Sequence, residues 1–281
     1  YQYTYDFTTS EGNQSITSMG ANTDPAPDDE NAFYTRVSNG SEQKLAALKT
    51  AVENFTDSVY EKAKGADGNP GTDDDINHRI AVVGFANSTA GGYSYSNTEL
   101  FIGSSEYRYG TQAEKKYKEA FQNMNTKTGH DNVIASKDKL TASGATYIDL
   151  GIEMANGIFN ANPISSTNDT KRNRVVVVFT DGAPGSDGKW NNKSYGRSGD
   201  AEAVANAAIK NAKDTKNTYG ATVYTIGIFE GANPDKTDNS NKFMNYVSSN
   251  YKNAESMTNP GESTKPADSG YYLSANNAED L

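Results

Sequence analysis

Cysteine is absent from the 281 residues, which excludes a disulfide framework, a thiol nucleophile and a zinc–thiolate site. Histidine occurs only at His78 and His130, both in polar segments predicted as loops, and neither fits a metal-ligand pattern. No phosphate-binding loop, dinucleotide fingerprint or nucleophile elbow is present. No histidine or glutamate directly follows the strand predicted at 175–179, where a general base beside the candidate site would lie. We therefore expect that the protein is not an enzyme.

Long apolar runs and positive charge are also scarce. Hydrophobic residues make up 35% of the chain and the formal net charge is −10. No run approaches the ~18 apolar residues that a membrane-spanning helix needs. Net negative charge opposes binding to nucleic-acid backbones and to anionic membranes. We expect long polar loops around a modest core, no membrane insertion and no nucleic-acid partner.

The segment 174–185, which reads RVVVVFTDGAPG, carries the strongest signal for the fold. Its uniform apolarity is typical of a strand that is buried on both faces of a parallel sheet. Apolar runs within 80–85 and 222–228 have the same character. We therefore predict that 175–179 forms the middle strand of a sheet, with those two runs on either side.

Helical periodicity alternates with these strands. The clearest helix is predicted over 41–64, where one apolar stripe should face the core. The stripe consists of Leu45, Leu48, Val52, Phe55 and Val59. Further helices are predicted over 113–123, over 143–159 with 143–146 as an entry loop, and over 200–215 and 243–250. A last strand is predicted over 270–274, and connections over 65–78 and 124–140.

This alternation predicts an α/β fold with a doubly wound, mostly parallel central sheet and helices on both faces. The pattern fills nearly the whole chain, so we predict a single domain over 1–281. Within it, 1–40 forms an atypical N-terminal strand and an acidic loop, and 41–281 forms the main α/β body.

Oxygen-bearing side chains follow the predicted strands. Asp181 comes directly after the valine run, and Thr146 lies in the loop before a predicted helix. Because α/β sheets bind ligands at the carboxyl ends of their strands, both are candidate site residues. One carboxylate with several hydroxyls suits Mg²⁺, Mn²⁺ or Ca²⁺, with waters completing the shell. The alternative for Asp181 is a turn-forming residue before Gly182.

At these residues the chain resembles the von Willebrand factor type A family, and most of all the large adhesins at the tips of Gram-positive surface pili. The matching segments occur in family order over 41–281: KLAALKTAVENF, RIAVVGFA, SGATYIDLGI, VVVVFTDGAPG, ATVYTIGIF and YYLSANNAEDL. The resemblance implies that Thr146 and Asp181 fill the second and third loops of a metal-ion-dependent adhesion site. Thr146 would give a hydroxyl ligand, and Asp181 would act directly or through water.

The resemblance also implies where the protein works and what it binds. It points to an extracellular adhesin at the cell wall or pilus surface of a Gram-positive bacterium. The partner would be a host matrix or cell-surface protein or a glycan, and other pilus or surface-protein domains could adjoin it.

The first metal loop departs from the family pattern, an apolar strand that ends in Asp-x-Ser-x-Ser. Ser18, followed by a methionine, lies at the right distance before the helix, and we predict metal ligands at Ser15 and Ser18. The full Asp-x-Thr-x-Ser pattern occurs at Asp6, Thr8 and Ser10, which lie further from the helix. Either the site is degenerate or a segment of the natural protein is missing. The alternative function is a metal-free structural domain of a surface or pilus protein.

Overall fold

The computed structural model describes the chain over residues 2–9, 12–19, 33–37, 40–86, 98–109, 113–142, 144–164, 172–185, 190, 193–194, 199–262 and 270–275. The α-helices in these ranges are α1 Gly40–Ala63, α2 Ala113–Lys116, α3 Lys127–Asp138, α4 Ile148–Ala161, α5 Ala201–Asn217 and α6 Asn239–Val247. The helix predicted over 41–64 is thus confirmed as α1. No helix of the described ranges has the length and apolarity to cross a membrane.

The strands in the described ranges are mostly short. They are β1 Gln2–Thr9, β2 Gly12–Met19, β3 Phe33–Val37, β4 Arg79–Ile80, β5 Val82–Gly84, β6 Glu99–Ile102, β7 Ser105–Arg108, β8 Gln122–Asn123, β9 Val175–Thr180, β10 Lys193–Ser194, β11 Gly199–Asp200, β12 Thr222–Ile228 and β13 Tyr272–Ala275. Helices and strands occur in one chain with a parallel sheet, so the fold is of the mixed α/β type.

The parallel sheet has three strands in the order β13-β12-β9. Helix α5 connects β9 to β12 and helix α6 connects β12 to β13, which makes two successive βαβ units. The prediction that 175–179 forms the middle strand is therefore wrong, because β12 is the middle strand of this sheet and β9 lies at its end. A uniformly apolar run indicates burial, but it carries no information on strand order.

Three helices cover one face of the parallel sheet. Val178 of β9, Val223 of β12 and Tyr272 of β13 are buried in one core with side chains of α4, α5 and α6. The α5 contribution includes Ala205 and Ala208, which are fully buried. Such small side chains let the helix lie close to the strands.

The opposite face of this sheet is partly open. Val175, Val177 and Leu273 are 51%, 42% and 49% exposed, whereas Val178 and Tyr272 in the same strands are buried. Successive strand residues point to opposite faces, so these three side chains share the open face. The described part of the chain thus shows a helical layer on one face of this sheet, and the doubly wound form with helices on both faces stays a prediction.

The run within 80–85 does not join the parallel sheet. It forms β4, which pairs antiparallel with β8, and β5, which pairs antiparallel with β6. The β6–β7 hairpin supplies the neighbour for β5, so the prediction that this run flanks β9 is wrong. Local antiparallel pairing needs only a short connection, whereas parallel pairing needs a crossover.

Helix α1 packs on α3 and not on the parallel sheet, as the contacts between elements show. Its buried side chains include Thr56 and Ala63, whereas Phe55 is 55% exposed. The prediction that the whole apolar stripe faces the core is therefore wrong at Phe55. The stripe is wider than the surface that α3 offers, and Phe55 lies on its outer flank.

Helix α3 replaces the connection predicted over 124–140. Thr126 caps its first turn, since the Thr126 hydroxyl accepts a hydrogen bond of 3.0 Å from the Gly129 amide. His130 therefore lies on a helix and not in a polar loop. The sequence signal was weak, because few residues of this helix are apolar.

Residues before α1 form a separate antiparallel sheet in the order β2-β1-β3. The atypical N-terminal strand corresponds to β1, which is the middle strand of this sheet, so the expectation of an edge strand is wrong, and β3 lies within the predicted acidic loop. The division into 1–40 and 41–281 within a single domain stays a prediction.

Candidate metal site

The loops that carry Thr146 and Asp181 meet at the carboxyl end of β9. The Thr146 amide donates to the Gly185 carbonyl over 2.9 Å, and the Gly185 amide donates to the Thr146 carbonyl over 3.1 Å. Gly185 has φ +111°, and a Cβ there would lie 3.4 Å from Ala201 Cα at the start of α5. A glycine is thus required at this position, and it holds the two loops side by side.

A third segment joins the same edge. The Tyr147 amide donates to the Ala86 carbonyl over 2.9 Å, just after β5. Tyr147 and the following Ile148 are buried and anchor the loop to the core below α4. Backbone bonds on both sides therefore fix the position of Thr146.

Asp181 is exposed where β9 ends, and a hydrogen bond from the preceding residue, Thr180, closes the turn around it. The buried Thr180 hydroxyl donates to the Gly182 carbonyl over 3.3 Å. The Asp181 side chain thus faces solvent at the edge where α/β proteins bind ligands. The turn-forming alternative and the ligand role are both compatible with this position.

The donor set at this edge is limited to oxygen. Among the residues that the structure describes, no three histidines, cysteines or carboxylates converge to hold a metal. Thr146 and Asp181 offer a hydroxyl and a carboxylate, the hard donors that Mg²⁺, Mn²⁺ and Ca²⁺ accept. They fit such a cation only as a partial shell that waters, other hydroxyls or a partner's acid would complete.

Ser15 and Ser18 lie on β2, in the antiparallel sheet that precedes α1. Ser15 is opposite Asp6 of β1, and Ser18 is opposite Tyr3. The structure describes the backbone of these strands only, so the role of Ser15 and Ser18 as ligands stays a prediction. Thr8, in the alternative pattern, lies on β1, and Ser10 lies outside the described residues.

The acidic loop over 65–78 binds its own backbone. Asp74 accepts hydrogen bonds of 2.6 and 3.2 Å from the amides of Ala66 and Asp67. The Thr72 hydroxyl donates to the same carboxylate, and together these bonds lower the pKa of Asp74. Its oxygens are thus used within the loop, which explains the acidic sequence without a ligand.

Sequence reasoning missed a buried lysine in α5. Lys216 is 4% exposed, and its Nζ lies within hydrogen-bond distance of four backbone carbonyls at the end of α6 and in the following turn. The acceptors are Tyr246 at 3.1 Å, Val247 at 3.3 Å, Ser248 at 3.0 Å and Tyr251 at 2.6 Å. Burial lowers the pKa of Lys216 to about 7, against a smaller opposing effect of the Glu262 charge. The available signal was its spacing, four residues after the inward-facing Ala212.

No family model matches the chain, and no curated protein is significantly similar to it.

Proposed function

We propose that this protein is a von Willebrand factor A-like adhesion domain that binds its ligand through a divalent cation. The observation that carries the proposal is the pair of backbone hydrogen bonds between Thr146 and Gly185. These bonds bring together two loops that the sequence separates by about 35 residues and that the resemblance assigns to one metal site. The function is binding and not catalysis.

In this proposal Thr146 supplies a hydroxyl and Asp181 supplies a carboxylate, directly or through water. Ser15 and Ser18 supply further hydroxyls. A cation held by few charged ligands stays strongly electrophilic, so it attracts an acidic group of a host surface protein or glycan. The domain would act outside the cell, at the cell wall or on a pilus.

The doubly wound form of the fold is part of the same proposal. Val175, Val177 and Leu273 give the second face of the parallel sheet an apolar character. A doubly wound sheet needs such a face for a second layer of helices. A sheet with one solvated face favours strands in which apolar and polar residues alternate. The four consecutive valines of β9 do not alternate in this way, so they support a sheet that is covered on both faces.

Isothermal titration with Mg²⁺, Mn²⁺ and Ca²⁺ tests this function. With one carboxylate we expect a dissociation constant of about 10⁻⁴–10⁻³ M, as in extracellular calcium modules. Asp181→Ala should abolish the heat and leave the fold intact, because Asp181 lies past the end of β9. Asp214→Ala is the matched control, since Asp214 is exposed and lies about 20 Å along α5 from Ala201.

A second candidate function is a metal-free structural domain. The absence of a converging acidic cluster among the described residues favours it. If the wild type shows neither heat nor thermal stabilisation with any of the three cations up to tens of millimolar, the structural domain replaces the adhesin. Equal binding of the cation by wild type and Asp181→Ala would show that the cation binds at another site.

A further inference from the structure

Polar pairs join α1 to α3 at successive turns of α1. Lys49, Glu53 and Asp57 are spaced by four residues, so they lie on one side of the helix. Lys49 Nζ donates to the Asp138 carbonyl over 2.9 Å, and Lys137 Nζ lies 2.7 Å from Glu53 Oε2. The third pair is formed by Asp57 and His130, and this pair is called the His130 rung below.

His130 lies between two carboxylates. Its Nε2 is 2.7 Å from Asp57 Oδ1 on α1, and its Nδ1 is 3.1 Å from Asp131 Oδ1 on α3. The imidazole is 18% exposed, and its ring lies 4.7 Å from the ring of Tyr60. Both ring nitrogens therefore face an acceptor at the interface between the two helices.

Only the imidazolium form satisfies both contacts. A protonated histidine donates from both nitrogens, whereas a neutral one donates from one and presents a lone pair at the other. In the neutral form, either Asp57 or Asp131 would face that lone pair at hydrogen-bond distance. The geometry thus favours a proton on His130 when α1 is docked.

Two nearby lysines contact the neighbours of His130, but neither replaces the contact between His130 and Asp57. Lys127 on α3 binds both oxygens of Asp131, at 2.9 and 2.6 Å. Lys64, directly after α1, lies 4.3 Å from the centre of the Tyr60 ring. Lys127 partly neutralises Asp131, so the contact between His130 and Asp57 is the one that responds most to the proton.

We propose that His130 is a pH-sensitive latch that docks α1 on α3 more tightly when its imidazole is protonated. Of the three pairs, only this one contains a histidine, the side chain whose ordinary pKa lies between pH 5 and 8. The apolar contacts of Ala63 with Met124 and Val133 also stay constant. The latch therefore adds a pH-dependent increment to a fixed interface.

The direction of the effect follows from the pKa of His130. Burial lowers this pKa, but hydrogen bonds and charges from Asp57 and Asp131 outweigh burial, and the net shift is upward. A raised pKa in the folded state stabilises docking fully below the unfolded value of 6.5. That stabilisation is lost as the pH rises through the folded pKa.

Hydrogen exchange of α1 at pH 5.5 and 8.0 tests the latch. After correction for intrinsic exchange rates, protection of residues 49–60 should fall about two- to five-fold at the higher pH, as for one partly exposed ion pair. Peptides from α4 in the same sample serve as the internal reference. His130→Gln, which cannot gain a proton, should remove the pH dependence.

Glu53→Gln is the matched control, because it weakens the pair of Glu53 with Lys137, which contains no histidine. It should lower the protection of α1 by a similar factor at both pH values. Unchanged protection in the wild type, or a pH dependence that survives in His130→Gln, would overturn the proposal. If His130→Gln does not fold, the NMR titration of the His130 ring decides, with His78→Gln assigning the signal: a pKa at or below 6.5 overturns the latch.

Discussion

Replacing Lys216 by methionine should test whether its amine holds the end of α6 in place. Methionine keeps the length of the side chain and removes every N–H donor. The four carbonyls within 3.3 Å of Nζ would then lose that donor in the interior. Two of them, Tyr246 and Val247, lie in the last turn of α6, where carbonyls have no partner within the helix.

The cost follows from the number of hydrogen bonds that the amine can make. Even an uncharged amine donates two, so at least two carbonyls lose a partner in Lys216→Met. A buried polar group left without a partner costs about 1–3 kcal/mol. We therefore expect the free energy of unfolding to fall by about 2–5 kcal/mol at pH 9, and by less at pH 7, where the lowered pKa of Lys216 destabilises the wild type and methionine removes that cost.

The wild type should also gain stability as the pH rises from 7 to 9. Burial lowers the pKa of Lys216 to about 7, from the ordinary value of 10.5. Between these values the unfolded chain binds more protons than the folded protein, so stability increases with pH by up to about 1.4 kcal/mol per unit. Lys216→Met should lack this increase.

Urea unfolding followed by circular dichroism at pH 7, 8 and 9 measures both effects. Lys213→Met is the control, because Lys213 pairs with Glu255 at the surface over 2.6 Å and should cost less than about 1 kcal/mol. A loss below about 1 kcal/mol for Lys216→Met at pH 9 would refute the role of the carbonyl contacts. A flat pH profile shared by wild type and variant would refute the lowered pKa.

Two further substitutions test the packing of the helices. Phe55→Ala should cost less than about 1 kcal/mol in urea unfolding, because Phe55 is 55% exposed, whereas Ile209→Ala in the α5 core should cost about 2–5 kcal/mol. Similar losses for the two would show that the stripe of α1 is covered. Gly129→Ala should lower the midpoint of thermal unfolding, because its Cβ would overlap the Asn123 carbonyl. An unchanged midpoint would show that the start of α3 can shift.

The sequence predicted elements better than their arrangement. The helix at 41–64 has a long 3.6-residue period, and the strands at 175–179 and 222–228 are uniformly apolar, so each was recognised. Strand order depends on which partner each strand finds, and the run at 80–85 found β6 and β8 instead of β9. Helix α3 was missed because few of its residues are apolar, so its sequence shows no long apolar stripe.

In the candidate site, too, some residues were recognised from the sequence and others were not. That Thr146 and Asp181 lie in neighbouring loops depended on the strand-end rule, which holds for any parallel sheet. Lys216 and His130 were not recognised, since a charged residue is normally read as exposed. Their burial depends on the carbonyls around Lys216 and the carboxylates around His130, which only the three-dimensional structure shows.

Linkage connects the weak cation affinity expected here to the proposed binding of an acidic ligand. If a partner's carboxylate completes the shell around the cation, ligand and cation must each raise the affinity for the other by the same factor. A site with Asp181 as its single described carboxylate gains more from an added acid than a site with several acids already in place. Weak binding of the cation alone is therefore expected for the proposed adhesion site, because the partner's carboxylate then supplies a large part of the coordination energy.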